Sequence, residues 1–364
     1  MPLSAVNPGH YQLLLDAKVA RVSALLAPCT PPAAIVYPSA PTGFRMRAEF
    51  RMWHDADELN YVMFRRDDPA KPVSIDDFPI ACESIRQLMP PLRAALKADE
   101  VLRRKLFQVE FLSTLAGETL ITLVYHRKLS ADWEAAAGRL ASELQVSLVG
   151  RSRKQKIVIG ASFVREVLDV EGRTYSYRQY EQAFTQPNAG VNISMLTWAC
   201  ERAASAPGNL LELYCGNGNF TLPLAAHFDQ VIATELAKAS VQAARENLDA
   251  NGIDNVRIIR LSAQEVTQAM RGDREFRRLA DLPMPLGQCE LRTLLVDPPR
   301  AGLDAYTLNM ASEFEAIIYI SCNPHTLVEN LLVLRHSHQI EQLALFDQFP
   351  YTEHMECGVF LRRN

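Results

Sequence analysis

The spacing of apolar residues changes part-way along the chain, and the change marks its organisation. Tyr11–Leu26 carries them at helical spacing, and prolines crowd the stretch that follows (Pro28, Pro31, Pro32, Pro38, Pro41). Residues 1–43 therefore read as an N-terminal helix and a proline-rich linker. From Phe44 the period becomes that of strands. FRMRAEFRMW and LNYVMF read as strands and Cys82–Leu96 as a helix. LFQVEFLSTL and LITLVYH form a hairpin turning near Gly117, Asp132–Leu144 is helical, and VSLVG pairs with KIVIG. Hairpins with two helices predict an α+β domain over residues 44–180, one sheet with helices on one face.

Beyond about Tyr180 the rhythm alternates strand and helix. Strands are expected at Asn209–Leu213, Gln230–Thr234, Val256–Arg260, Arg292–Val296, Ala316–Ser321, Gln342–Phe346 and Cys357–Leu361, with helices at Ala237–Ala250 and Thr326–Leu334. That alternation predicts an α/β domain over residues 181–364. Its sheet is doubly wound and mostly parallel, ligands sit beyond the carboxyl ends of the strands, and the last hairpin, Leu343–Leu361, is antiparallel.

Charge divides with the period. Residues 1–180 hold 24 Lys+Arg against 20 Asp+Glu (+4), and the remainder holds 14 against 22 (−8). A polyanionic partner would be held by the first half. Apolar runs such as Ala316–Ile320 and Leu343–Phe346 are far too short for a membrane span, and the first residues lack a secretory pattern. Seven scattered cysteines with no CxxC pair argue against a disulfide framework, a zinc ribbon and an iron–sulfur cluster. A cytoplasmic protein without metal or cluster is expected.

Three strand ends carry the candidate chemistry. LLELYCGNGNF runs an apolar strand into a glycine-rich turn at Gly216 and Gly218, and Glu235 closes the next strand 19 residues after Gly216. An acid at that distance suits the hydroxyls of an adenosine ribose. Thr221 stands where a dinucleotide site has its third glycine, so S-adenosylmethionine fits better than a pyrophosphate ligand. TLLVDPPR ends a buried strand in Asp297, whose direction two prolines stiffen. Amino-directed methyltransferases carry an aromatic after a similar motif, but Arg300 stands there. IYISCNPHT delivers Cys322 to the same edge just before a helix, with Asn323 as N-cap and Pro324 at the first helical position. The helix end is expected to lower the thiol's pKa. In FPYTEHMECG, a general base at the last strand's entry is Glu353 or Glu356, and spacing alone does not choose. His354-x-Glu356 lacks the PCxxC partner of a zinc deaminase, so metal is rejected.

LLELYCGNGNF, VDPPRAGLD, ISCNP and FPYTEHMECG, with YEQAFTQPN upstream, resemble the tRNA (uracil-5-)-methyltransferase family, from the RMRAEFR segment to the C-terminus. The resemblance implies a Rossmann-like domain behind a smaller RNA-binding domain, and S-adenosylmethionine as donor. The product would be 5-methyluridine at position 54 of the tRNA T-loop, with tmRNA as a further T-loop-like substrate. Cys322 would be the nucleophile and Glu356 the proton acceptor, while Gln186, Tyr214, Gly216, Asn219, Glu235 and Asp297 would bind the donor. The T-arm of tRNA is the implied partner, with no membrane, and a monomer is expected. Ribosomal-RNA members usually add an OB-like domain and four clustered cysteines, neither evident here.

RNA contacts are expected in the first half, where Arg45, Arg47, Arg51 and Trp53 alternate on a strand. Phe107, His126, Arg127 and Lys128 add charge beside aromatics. Competing readings are a ribosomal-RNA uridine methyltransferase, a small-molecule methyltransferase, which would need no basic half, and a non-catalytic tRNA-binding or folding protein, whose binding would survive loss of Cys322.

Overall fold

The computed structural model describes residues 6–65, 68, 71–280 and 282–364. The chain opens on α1 (Tyr11–Leu26) and the short β1 (Ile35–Tyr37). It continues through β2 (Arg47–Asp55), β3 (Glu58–Phe64), β4 (Pro72–Ser74), α2 (Glu83–Ala98), α3 (Glu100–Arg103), β5 (Leu106–Ser113), β6 (Thr119–Tyr125), α4 (Ala131–Leu144), β7 (Ser147–Ser152) and β8 (Gln155–Ile159). A two-stranded sheet of β9 (Phe163–Val170) and β10 (Arg173–Tyr180) follows, then α5 (Ala189–Ala203). The remaining elements are β11 (Asn209–Leu213), α6 (Thr221–Leu224), β12 (Val231–Thr234), α7 (Lys238–Ala250), β13 (Val256–Ile259), α8 (Ala263–Arg271), β14 (Leu291–Val296), α9 (Ala305–Ala311), β15 (Ala316–Ser321), α10 (Pro324–Leu334), β16 (His338–Phe346) and β17 (Glu356–Arg363).

Two compact units result. One comprises residues 1–9, 40–167 and 178–189, the other 10–39, 168–177 and 190–364. The division differs from boundaries at 43/44 and 180/181. Helix α1 and β1 belong with the second unit because Tyr11, Leu15, Val22 and Leu26 sit in its apolar core with Leu327, Leu331 and Leu334 of α10, while β1 pairs with β16. Each such burial contributes roughly 1.5–3 kcal/mol, far more than a solvated linker gains.

In the first unit, seven strands run in the order β4-β3-β2-β5-β6-β7-β8, antiparallel except β6 with β7, which α4 joins as a crossover. Alternation on β2 turns Ala48, Phe50 and Met52 inward and Glu49, Arg51 and Trp53 outward. Trp133 of α4 lies against Gly150 of β7, where a Cβ would come within 2.2 Å of its ring. Only glycine permits that approach.

The second unit is one eight-stranded sheet in the order β1-β16-β17-β15-β14-β11-β12-β13. Strands β12, β13, β14 and β15 run parallel around β11, and β17 enters antiparallel between β15 and β16. From β11 the chain winds out through β12 and β13, then returns to β14 on the other side. The reversal makes β11 and β14 the topological switch point, beyond whose carboxyl ends open α/β sheets bind ligands. No helix among the described residues is long and apolar enough to cross a membrane.

Candidate active site

The turn after β11 is backbone held in unusual conformations. Tyr214 has φ +61°, Gly216 +57° and Gly218 +88°. The left-handed region costs a non-glycine residue energy, and such strain clusters at functional sites. A Cβ on Gly218 would lie 2.7 Å from Leu222, whereas the space beside Gly216 is open. Neighbouring elements fix the turn. Asn192 of α5 and Asn219 exchange amide hydrogen bonds of 2.9 Å, the Tyr177 hydroxyl donates to the Asn219 carbonyl at 3.0 Å, and Asn247 of α7 donates to the Asn217 carbonyl at 3.0 Å. Glu235, just past β12, accepts from the backbone N–H of Gly216 (3.2 Å) and of Ala237 (2.7 Å). Its carboxylate therefore sits against the glycine turn, where the sequence expects a ribose contact. Beneath, Glu212 is buried with Oε2 lacking a hydrogen-bond partner, and burial pushes its carboxyl up to about 8. An open glycine cradle at Gly216, with the Glu235 side chain against it, fits a ribose-bearing donor.

Asp297 follows β14. Desolvation pushes its carboxyl up to about 7. The chain then turns through Pro298 and Pro299, and the Arg300 carbonyl accepts hydrogen bonds from Asn323 Nδ2 (2.9 Å) and Thr326 Oγ1 (3.2 Å). These bonds tie the DPPR turn to the start of α10.

Cys322 and Glu356 lie just beyond the last β15–β17 pair, close enough to influence each other's charge. Ser321 of β15 pairs with Cys357 of β17, so the next positions outward are Cys322 and Glu356. Cys322 is half-buried, Glu356 almost fully buried. Asn323 caps α10 by accepting from the His325 N–H at 3.2 Å, with Pro324 next, as expected. The expectation of a lowered thiol pKa is corrected. Burial pushes Cys322 up to about 11, the Glu356 and Asp297 carboxyls add to the rise, and Arg300 opposes it. The helix-end argument fails because desolvation and two acids from distant strands outweigh it. Burial likewise pushes Glu356 up to about 8, helped by Asp297 and opposed by Arg300. A thiol, two acids and one guanidinium thus share one electrostatic environment at the sheet's edge.

Glu353 and Glu356, the two acids between which spacing does not choose, differ in burial. Glu353 is exposed and pairs with Arg21 of α1 at 3.1 Å, whereas Glu356 lies beside the thiol. The sequence reading missed Lys18, whose Nζ on α1 is buried and donates to Asp347 (2.5 Å) and to the Phe349 and His354 carbonyls (both 3.0 Å). It thereby organises the loop that ends in Glu356. Sequence offered one signal, a lysine in phase with Tyr11, Leu15, Val22 and Leu26 on the apolar face of a helix.

Residues 10–364 match the family model described as tRNA (Uracil-5-)-methyltransferase. This chain belongs to the tRNA (uracil-5-)-methyltransferase family. It is 54% identical over 362 residues to the tRNA/tmRNA (uracil-C(5))-methyltransferase of Pseudomonas entomophila, covering 99% of this chain and 100% of that one. To the protein of the same name from Aromatoleum aromaticum it is 52% identical over 363 residues, 100% of this chain and 98% of the other. Its fold is that of the Pyrococcus abyssi tRNA (uracil-54, C5)-methyltransferase crystallised with S-adenosyl-L-homocysteine, at a TM-score of 0.73 and 21% identity, covering 96% of this chain and 83% of that chain.

In the first unit of this methyltransferase, several arginines expected to meet RNA are held by the protein. Arg45 donates from Nε to the Arg47 carbonyl (2.7 Å), and Arg47 donates to the carbonyls of Ala183 (2.9 Å) and Glu181 (2.5 Å). Arg127 bonds the carbonyls of Arg104, Lys128 and Val101. Strand alternation correctly turns the β2 arginines outward but says nothing about which acceptors their guanidinium groups meet. Arg51 differs, for it lies 3.7 Å over the Phe107 ring, which stacks on His126 at 3.9 Å. Lys128 is exposed. Gln186 falls in the segment 178–189 of the first unit.

Proposed function

We propose that this enzyme methylates carbon 5 of the uridine at position 54 in the T-loop of tRNA, and of the matching uridine in tmRNA, through a covalent bond from Cys322 to carbon 6. The observation that carries the reading is the gathering of Cys322, just past β15, and Glu356, at the start of β17, within one electrostatic environment with Asp297 and Arg300.

S-adenosylmethionine, when bound, supplies an electrophilic methyl group, which carbon 5 of uracil is too weak a nucleophile to take unaided. Tyr214, Gly216, Asn219, Glu235 and Asp297 would hold this donor, and the open side of Gly216 would let it approach the backbone. Cys322 sulfur attacks carbon 6, its thiol proton leaves to solvent, and the electron pair of the carbon 5–carbon 6 double bond becomes available at carbon 5. Arg300 stabilises the thiolate against the two acids. Carbon 5 would take the methyl group with its electron pair as the donor's sulfur–methyl bond breaks and leaves a neutral thioether. The Glu356 carboxylate then takes the carbon 5 proton, the double bond re-forms, and the Cys322 sulfur leaves as thiolate. Placing uracil on the thiol requires extruding the nucleotide, at roughly a few kcal/mol. The stack of Arg51, Phe107 and His126 offers a surface on which loop bases replace their lost stacking.

The test is a nucleoside digest of unmodified tRNA incubated with enzyme and labelled donor. The expected outcome is label in 5-methyluridine at position 54 alone. Label in ribosomal RNA but not in tRNA, or tRNA binding without transfer, contradicts the reading.

A further inference from the structure

At one end of the seven-stranded sheet, where β6 finishes and β7 turns into β8, a cleft of about 590 Å³ opens. Its lining includes His126, Arg127, Lys128, Arg153 and Lys154, and no acidic residue. The cations are arranged unlike others of this unit. Arg86, Arg93, Lys97, Arg103, Arg151, Lys156 and Arg165 each meet an Asp or Glu. Among the described residues, Lys128, Arg153 and Lys154 form no ion pair. Three exposed positive charges therefore gather where, among the described residues, no acidic side chain pairs with them.

The backbone bears a cost to keep them there. Arg153 and Lys154 form the two-residue connection between β7 and β8, and Lys154 has φ +60°. Glycine or asparagine is the favoured residue for such a position. Lys105, whose carbonyl accepts the His126 N–H at 3.1 Å, also has positive φ, +55°. The walls are firm. Gln155 exchanges two 2.9 Å hydrogen bonds with the backbone of Leu129, and the Arg127 guanidinium is locked onto backbone carbonyls. Rigid walls, unneutralised charge and strained turn lysines describe a surface shaped for a polyanion.

His126 belongs both to this cleft and to the stack with Phe107 and Arg51. From this continuity we infer that the cleft takes backbone phosphates of the substrate's helical stem while the stack holds its loop. The inference rests on the proposed RNA substrate. Phosphate contacts supply affinity and orientation without reading sequence, so the cleft registers the stem and leaves the choice of uridine to the catalytic edge.

The experiment uses the full chain with the triple substitution Lys128→Gln, Arg153→Gln and Lys154→Asn. The last relieves the turn, so the variant keeps its fold, checked by an unchanged melting temperature. Binding of unmodified tRNA is titrated between 0.05 and 0.3 M salt, on the order of the range over which phosphate contacts are read. The plot of log affinity against log salt should flatten by about 2 to 3, near 0.7–0.9 per lost contact. KM for tRNA should rise about tenfold or more with kcat unchanged at saturating RNA, and a loop-only oligonucleotide should show no such difference. An unchanged salt slope and KM overturn the inference, as does an equal loss on the loop-only oligonucleotide. If wild-type enzyme methylates tRNA normally in that case, the proposed function stands and the cleft assignment alone fails.

Discussion

Replacing Lys18 with Met should cost about 3–5 kcal/mol of stability, the loss typical of breaking a buried ion pair from one side. Lys18 is 6% exposed and Asp347 1%. Burial pulls the lysine's pKa down and the Asp347 carboxylate pulls it back up. All three ammonium donors are used, on Asp347 and on two carbonyls of the loop. In the variant, Asp347 keeps the Tyr11 hydroxyl at 2.9 Å but loses its counter-charge, and the Phe349 and His354 carbonyls lose a partner. Because this loop delivers Glu356, methyl transfer should fall by tenfold or more, on the order of what a displacement near 1 Å costs a reacting group, at temperatures where the variant remains folded. Thermal unfolding and single-turnover methylation together check this. A variant within 1 kcal/mol of wild type, on the order of a surface change, would mean that α1 merely covers the sheet.

Glu356→Gln should lower kcat by about 10²–10⁴, the usual contribution of a positioned acid–base group, and RNA should remain attached to Cys322. The amide keeps shape and neutrality but cannot take the carbon 5 proton, so sulfur cannot leave. Glu353→Gln, changing an exposed acid paired with Arg21, should stay near wild type. For wild type, kcat should rise with pH towards about 8 as Glu356 ionises, and the variant should lose that limb. Stability moves the other way. The folded-state carboxyl titrates near 8, and in the unfolded chain near 4.3, so the unfolded chain gives up its proton first. Wild type accordingly loses stability as pH climbs between those values, while the glutamine variant does not. Rate measurements, denaturation at pH 6 and 8, and gel analysis of trapped RNA check all three statements.

What the sequence made legible was local. β11, β14 and β15 are short apolar runs ending in residues with distinctive backbone demands, so strand and turn could be read together, as could the Asn323-Pro324 helix start. β9 escaped notice because Glu166, buried and accepting the Leu115 N–H at 2.8 Å, interrupts its apolar alternation. The allegiance of α1 depends on Lys18 meeting a carboxylate 329 residues away. Cys322 illustrates the same limit. Its helix cap was readable, but the acids that raise its pKa arrive from β14 and β17. Local backbone logic places the thiol and the acids at the sheet's edge, and long-range packing shifts their pKa values.

The proposed covalent step is open to direct observation with a T-arm stem-loop carrying 5-fluorouridine at the proposed target position, incubated with enzyme and S-adenosylmethionine. Fluorine at carbon 5 cannot leave as a proton does, so the sulfur–carbon bond should persist. Mass spectrometry of the digested complex should then find the nucleotide on the peptide bearing Cys322, with no complex from Cys322→Ala. A nucleotide attached to another residue, or no complex from an enzyme that methylates the ordinary uridine stem-loop, would contradict the account.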